Sequence, residues 1–347
     1  MDINKLLSII NTGRILIQTH DYPDPDAITS AFGLQYLLKH FGVETSICFK
    51  GFAERASVNN LVKEFSIPLL TPIETMAIQP TDKIILVDGQ KLNANMTNLP
   101  GDEVACIDHH PIFKQVDYQY SDIRLVGACA SIIADYFVKS KVKIPCNIAT
   151  LLLYGLMVDT HSMTRGVADL DLDIFPMLYR SSDPERFTQL EAKSLEFSDL
   201  QAFGAAINNI RVYGRTGFAS IPFSCPDALV AQVADFILSL VEVDIAIIHA
   251  RREQGWKYSV RSVLPEVHSG YMLAEVMPPY GTGGGHARMA AGFIPKENII
   301  QTGMDKAQFE SMLEERFLNY IEKHLAEKDI KNNSNDTNTT NETQDNQ

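Results

Sequence analysis

The chain has 347 residues, 43 acidic against 30 basic, and a formal charge of -13. That balance excludes a grip on long duplex nucleic acid, which needs a basic face, but not a small phosphorylated ligand, because bound cations add positive charge that the side-chain count omits. The 45% hydrophobic content suffices for two cores. No apolar run approaches the roughly 20 residues of a membrane span.

Met1 to Lys5 read as the start of an amphipathic helix rather than a secretory leader. Arg14 to Thr19 is a short apolar run, and His20, Asp24 and Asp26 follow it closely. A helical pattern comes next, with Ala27, Ala31, Leu34, Leu37 and Leu38 on one face. Val43 to Phe49 alternates like a strand. Lys83 to Val87 is a β-rich run ending at Asp88, and Val104 to Ile107 is another, ending at Asp108-His109-His110. Helical periodicity returns over Ala128 to Val138 and over Asn147 to Val158, the second closing at Asp159. The alternation predicts an α/β fold with an N-terminal, doubly wound, mostly parallel sheet. In such sheets functional groups collect beyond the carboxyl ends of strands.

Arg180 to Pro184 breaks the pattern, and Glu185 to Phe203 reads as a helical connector. Paired strands are expected over Ile210 to Tyr213 and Gly217 to Pro222, then a helix from Pro226 to about Leu240. A hairpin joins Ile245 to Ala250 with Trp256 to Val263, and Ala307 to Glu327 is a terminal helix. The expected organisation is a metal-binding domain over 1–184, a connector over 185–204, a second, smaller α+β domain over 205–328, and a tail over 329–347. The Asn-, Thr- and Asp-rich tail has almost nothing to bury and reads as disordered. Five scattered cysteines without a CxxC pair suggest reduced thiols in a cytoplasmic protein.

A lone Asp at a strand end is usually a turn or helix cap. Here carboxylates and imidazoles recur at His20, Asp24, Asp26, Asp88, Asp108, His109, His110 and Asp159 within one domain. Oxygen and imidazole ligands in that mixture suit hard divalent cations.

The pattern His20-x-x-Pro23-Asp24-x-Asp26-Ala27-x-x-Ser30, then Val87-Asp88, then Ile107-Asp108-His109-His110-Pro111, then Asp159-Thr160 resembles the DHH phosphoesterase family over roughly residues 10 to 170. The resemblance implies one Mn²⁺ on His20, Asp24 and Asp88, and a second on Asp26, Asp88, His109 and Asp159, with Asp88 bridging. It gives Asp108 and His110 catalytic roles, either supporting the metal ligands from behind or orienting the substrate. Two such cations activate a water, so no protein nucleophile is needed.

Gly283-Gly284-Gly285-His286 with Ala290-Ala291-Gly292 resembles the GGGH…AAG loop of the first type of DHH-associated domain. That likeness assigns Gly283, Gly284, Gly285 and His286 to substrate binding, through exposed amides and an imidazole donor. Ser259-Val260-Arg261-Ser262 resembles the strand that places Arg261 and Ser262 on the substrate. Departures from the pattern are Pro25 between the two aspartates, His161 where small residues are frequent, Met163 where an aromatic is common, and a longer path from His286 to Ala290. They leave the metal ligands in place and bear on the substrate pocket; His161 and Arg165 face either the substrate or only their own helix end.

The implied function is Mn²⁺-dependent hydrolysis of phosphate esters in very short nucleotides: nanoRNA, pApA-type dinucleotides, cyclic dinucleotides or pAp. The implied partners are that short nucleotide and, compatibly with the resemblance, a second copy of the chain in a homodimer, with no membrane. The alternatives are a single-strand 5′ exonuclease on longer nucleic acid and a non-catalytic nucleotide-sensing module. A type II inorganic pyrophosphatase shares the triplet but lacks the GGGH loop.

Overall fold

The computed structural model describes residues 3–51, 56–70, 72–93, 95–112, 114–192 and 195–339. It forms two compact units, Met1–Leu195 and Glu196–Gln347.

The first unit runs α1 (Ile3–Ile9), β1 (Ile15–Gln18), α2 (Pro25–His40), β2 (Thr45–Cys48), α3 (Ala56–Glu64), α4 (Pro72–Met76), β3 (Lys83–Val87), β4 (Asp102–Asp108), β5 (Tyr120–Ile123), α5 (Cys129–Lys139), α6 (Cys146–Asp159), α7 (Asp169–Ser181) and α8 (Pro184–Ala192). Its five strands are all parallel, in the order β2-β1-β3-β4-β5. The chain steps from β1 to β2 on one side and returns to β3 on the other, so a topological switch point lies between β1 and β3. In register, Gln18 faces Leu86 and Val87 faces Ile107. Residues that follow these strands therefore emerge side by side.

Continuous apolar runs make β1 and β3 fit a sheet covered on both faces. Ile17, Ile85 and Ile107 are fully buried with Leu34, Leu37, Ile133 and Leu152 of the helices. Strand β5 was not expected. It is four residues long, and its polar Asp122 is fully buried because Arg124 donates to it at 2.6 and 2.8 Å.

Helices α2 and α6 pack closely at Gly155. A Cβ there would collide with Thr29 Oγ1 and stand 3.2 Å from Asp26 Cα. Gly155→Ala is therefore expected to cost about 1–3 kcal/mol of stability through overpacking. The denaturant midpoint reports it, and an unchanged midpoint would show that the two helices have room to spare.

The second unit contains α9 (Leu200–Asn209), β6 (Arg211–Tyr213), β7 (Thr216–Ile221), α10 (Asp227–Leu238), β8 (Ile245–Arg251), β9 (Gly255–Ser262), α11 (Ser269–Val276), β10 (Thr282–Gly285), β11 (Met289–Pro295), α12 (Lys296–Gln301) and α13 (Lys306–Thr339). Its sheet has the order β10-β11-β9-β8-β7-β6, parallel only between β7 and β8. Alternate residues of β8 feed two cores: Ile245 and Ile247 meet Phe309 and Phe317, while Ala246 and Ile248 meet Val230 and Ile237. The expected α+β character is present.

Three expectations about the layout change. The connector is not one helix. Its first part, α8, packs on α6, while α9 packs on β7 in the second unit. A fresh helix start separates them, where Asp199 accepts from the Glu196 amide at 2.8 Å. The GGGH segment is not a free loop: Thr282–Gly285 is an edge strand paired with Phe293 to Ala290, and α11 lies against it. The segment Ala290-Ala291-Gly292 supplies the matching ladder. Helix α13 continues to Thr339, past the end expected at Glu327 and into the tail expected to be disordered. Propagating an established helix needs no new nucleus, so its end is not set by apolar pattern alone. Residues 340–347 of that tail lie outside the described residues.

Among the described residues no helix is long and apolar enough to cross a membrane. The five cysteines form no disulfide; Cys48, Cys106 and Cys129 are buried, whereas Cys146 is exposed.

Candidate metal centre

The loop after β1 is clamped before it reaches its ligands. The Asp21 amide donates to Asn95 O at 2.8 Å, and the Asp21 carboxylate accepts from the Thr97 amide at 3.2 Å and hydroxyl at 2.7 Å. His20 is thereby held at the strand's mouth. Asp24 caps α2, accepting from the Ala27 amide at 3.1 Å. Pro25 takes the first helical position, where its fixed φ and missing N–H suit the helix. This is the role that proline plays between the two aspartates.

Asp26, one residue further on, is 1% exposed and tied to a different element. Its Oδ2 accepts from the Cys129 amide at 2.7 Å and its Oδ1 from the Ala130 amide at 2.9 Å. Ser30 Oγ adds a third donor at 3.1 Å. Helix α5 has Ala128 at its cap position, with no side-chain cap, so its first amides are open to a carboxylate from elsewhere.

Asp88 follows β3 with φ 58°, in left-handed backbone that Asp tolerates better than most residues. Asp108 ends β4, fully buried. It accepts from the His109 amide at 2.8 Å, Gln90 Nε2 at 2.7 Å and His110 Nδ1 at 2.9 Å. Burial works against its charge, but the bonds from His110 and Gln90 prevail and hold the carboxyl below its usual range. Asp108 is thus a buried anchor for both histidines and belongs to none of the candidate metal-binding groups. His109 Nδ1 lies 3.0 Å from the Val126 carbonyl. A carbonyl can only accept, so Nδ1 carries the proton and Nε2 is left to bind.

The donor atoms converge in three overlapping groups: His20, Asp24 and Asp88; Asp26, His109 and Asp159; and Asp88, His109 and His110, each within 4.8 Å. His109 Nε2 stands 3.3 Å from Asp88 Oδ1, 3.3 Å from Asp159 Oδ2 and 3.9 Å from Asp26 Oδ2. His20 Nε2 is 3.7 Å from Asp88 Oδ2. Asp88 therefore lies against both the His20 and the His109 sets. Asp88 Oδ1 and His109 Nε2 are buried yet make no hydrogen bond. Orphaned buried polar atoms call for a bound group, and this oxygen and imidazole set fits a divalent cation such as Mn²⁺.

The electrostatics point the same way. Burial, then Asp88 and Asp159, push the Asp26 carboxyl well above its ordinary range. Burial, then Asp24, push Asp159 up to about 7, with His109 and His110 offsetting part of the rise. Burial opposes charge on His109, but Asp88, Asp159 and Asp26 overcome it and raise its pKa well above the ordinary value. All three shifts report the concentration of carboxylates at one point, a negative environment that divalent cations would offset.

After Asp159, the residues His161, Ser162 and Met163 all adopt left-handed backbone, with φ 49°, 56° and 61°. Such backbone favours small residues, and each larger one costs about 1–3 kcal/mol. His161 is exposed and Arg165 is half-buried.

In the second unit, His286 is exposed at the turn after β10. Its carbonyl accepts from the Gly270 amide at 3.0 Å at the start of α11. Gly283 and Gly284 are half-buried in β10, and Gly285 is exposed. Arg261 departs from expectation, being only 8% exposed. Its Nε donates to Asp235 at 2.7 Å, and its NH1 donates to Ser259 Oγ and Val260 O at 3.1 Å each. Those donors are committed within the fold. Ser262 is 1% exposed, its hydroxyl accepting from the Leu264 amide at 3.1 Å. Neither side chain stands open to a ligand in this arrangement.

Several contributors carry no sequence motif: Gln90, Asp21 with Thr97, and the α5 start. The α5 start had one readable signal. Gly127-Ala128-Cys129-Ala130 opens a helix with no Ser, Thr, Asp or Asn at the cap position.

Residues 14–156 match the DHH family, N-terminal domain. An uncharacterized protein of Methanocaldococcus jannaschii is 29% identical over 307 residues, 87% of this chain but 62% of its own length. The chain thus spans less than two thirds of that relative. A probable manganese-dependent inorganic pyrophosphatase of Streptococcus thermophilus is 25% identical over 224 residues, covering 57% of this chain and 72% of its own. Among solved structures, an exopolyphosphatase-related protein from Bacteroides fragilis shares the fold, with TM-score 0.71 over 92% of this chain and 97% of that one, at 18% identity.

Proposed function

We propose that the chain is a phosphoester hydrolase that works with two divalent cations, Mn²⁺ foremost, on very short nucleotides. The observation that carries this reading is the placing of Asp88 against two separate donor sets, His20 with Asp24 and His109 with Asp26 and Asp159. When bound there, two cations would draw electron density from phosphate oxygens and lower the pKa of a water. The protein's own groups do the rest. Asp108 fixes His109 and His110, and the Val126 carbonyl fixes the His109 tautomer. With Nδ1 committed to Asp108, Nε2 is the nitrogen that His110 has to offer a phosphate oxygen.

The acidic charge and the burial of the one Trp support a small substrate. Binding a longer single strand calls for a basic groove with stacking aromatics, and the single Trp, Trp256, is buried. Gly283 to His286 supply the anion-facing edge. The pyrophosphatase likeness supports Mn²⁺ and phosphorus–oxygen cleavage but spans only 57% of the chain. Free thiols suit the cytoplasm.

The purified protein with Mn²⁺ should be offered pAp, pApA, cyclic dinucleotides, pyrophosphate and longer RNA in parallel. One of the short nucleotides should be turned over at least tenfold faster than the longer RNA. Preference for the long strand would favour an exonuclease, preference for pyrophosphate would move the reading to that substrate, and metal uptake without turnover would leave a sensing module.

A further inference from the structure

Asp171 belongs to none of the three donor groups, yet it is fully buried. It sits in the first turn of α7, where its Oδ2 accepts from the Ala168 amide at 2.8 Å and closes the helix start. The same oxygen accepts from the Gly127 amide at 2.7 Å, a residue 44 positions away. Its Oδ1 makes no hydrogen bond. A cap alone does not require a carboxylate with one oxygen buried and unmatched, which is costly.

The reach to Gly127 explains the carboxylate. On one side of Gly127 is Val126, whose carbonyl orients His109. On the other is the start of α5, whose amides hold both oxygens of Asp26. A Cβ at Gly127 would stand 2.7 Å from Asp171 Oδ2 and 2.5 Å from Thr160 Cγ2, and Thr160 directly follows Asp159. One buried carboxylate therefore holds the Gly127 turn, on which the supports of His109 and Asp26 meet and beside which Thr160, next to Asp159, is packed. The other set is anchored elsewhere, through Asp21 with Thr97, the α2 cap and the Asp88 amide on Ile107 O at 3.0 Å.

We propose that Asp171 is a positioning residue for the Asp26–His109–Asp159 cation site and leaves the His20–Asp24–Asp88 site unaffected. The proposal rests on the two-cation reading. Asp171 touches neither cation nor substrate; it holds the Gly127 turn, and through it the angle at which the three donors meet. Groups that support metal ligands in this way shift affinity about 10–100-fold.

Mn²⁺ titration calorimetry and electron paramagnetic resonance on the full chain separate the outcomes. The wild type should take up two equivalents and show a spin-coupled pair. Asp171→Ala should keep one equivalent at wild-type affinity, bind the other 10–100-fold more weakly, and lose the coupled spectrum at limiting metal. Asp171→Asn, whose side-chain carbonyl can still accept from Gly127, should restore the pair. If Asp171→Ala does not fold, Gly127→Ala carries the test, because its methyl displaces Asp171 and should weaken the same single equivalent. Two full-affinity equivalents in the folded variant, or equal weakening of both, would overturn the assignment. A wild type that takes up fewer than two equivalents would instead remove the two-cation reading beneath it.

Discussion

Asp88→Asn should lower the hydrolysis rate by at least ~10³-fold while leaving the fold in place. Two observations set that expectation. Asp88 is the carboxylate lying against both donor sets, so on the two-cation reading its charge would serve both cations. Each cation contributes several kcal/mol of charge stabilisation, and about 1.4 kcal/mol corresponds to a factor of ten. Asparagine is the informative replacement because the backbone at position 88 is left-handed, a conformation that Asn tolerates. Asp88→Ala would remove the same ligand but add about 1–2 kcal/mol of backbone strain, mixing a folding defect into the kinetic one. Turnover by Asp88→Asn should therefore collapse with an unfolding midpoint close to wild type. A rate within tenfold of wild type would remove Asp88 from its shared role.

The second large effect is a pH-dependent stabilisation by metal. In the metal-free protein, Asp159 is raised from 3.8 to about 7, and Asp26 is raised as well. A raised carboxyl stabilises the fold while protonated, so its contribution is complete below about 3.8 and lost as pH climbs through the folded value. His109 is also raised; its contribution is complete below about 6.5 and lost as pH rises through its folded value. All three act in one direction. Asp108, lowered by His110 and Gln90, matters only in acid below the ordinary carboxylate range. The chelated protein should therefore unfold at a lower temperature at pH 8 than at pH 5.5. Mn²⁺ at about 100 times its dissociation constant adds ~2.7 kcal/mol, equivalent to roughly 5–10 °C for a unit of this size. The gain should be largest at pH 8, because protons compete for the same atoms at lower pH. Thermal unfolding with EDTA or Mn²⁺ at both pH values checks this, and an equal or absent shift would remove the metal from that cluster.

The strands that position the first unit's centre were legible because apolar runs ended in acidic residues. Lys83 to Val87 matches β3 to the residue. Asp24 and Asp26 were legible as a pair, but not the division of labour between them. Asp24 caps its own helix, whereas Asp26 is held by α5, 103 residues away. Nothing local encodes that pairing. Gln90 and Asp171 were missed for the same reason: each acts through hydrogen bonds to residues distant in sequence, and a single buried polar residue has no periodicity. Arg261 shows the converse case. Its motif suggested an open cation, while Asp235, 26 residues earlier, occupies it.

Asp26 takes its orientation from the first amides of α5, and α5 is itself seated by Ile132, Ile133 and Phe137, all fully buried. Any change that tilts α5 in its oily seat must also turn the carboxylate at its tip. On the two-cation reading, affinity for a divalent cation is then a sensitive gauge of how well the interior is filled, and drift among those hydrophobic residues would be felt first as a looser hold on the ion.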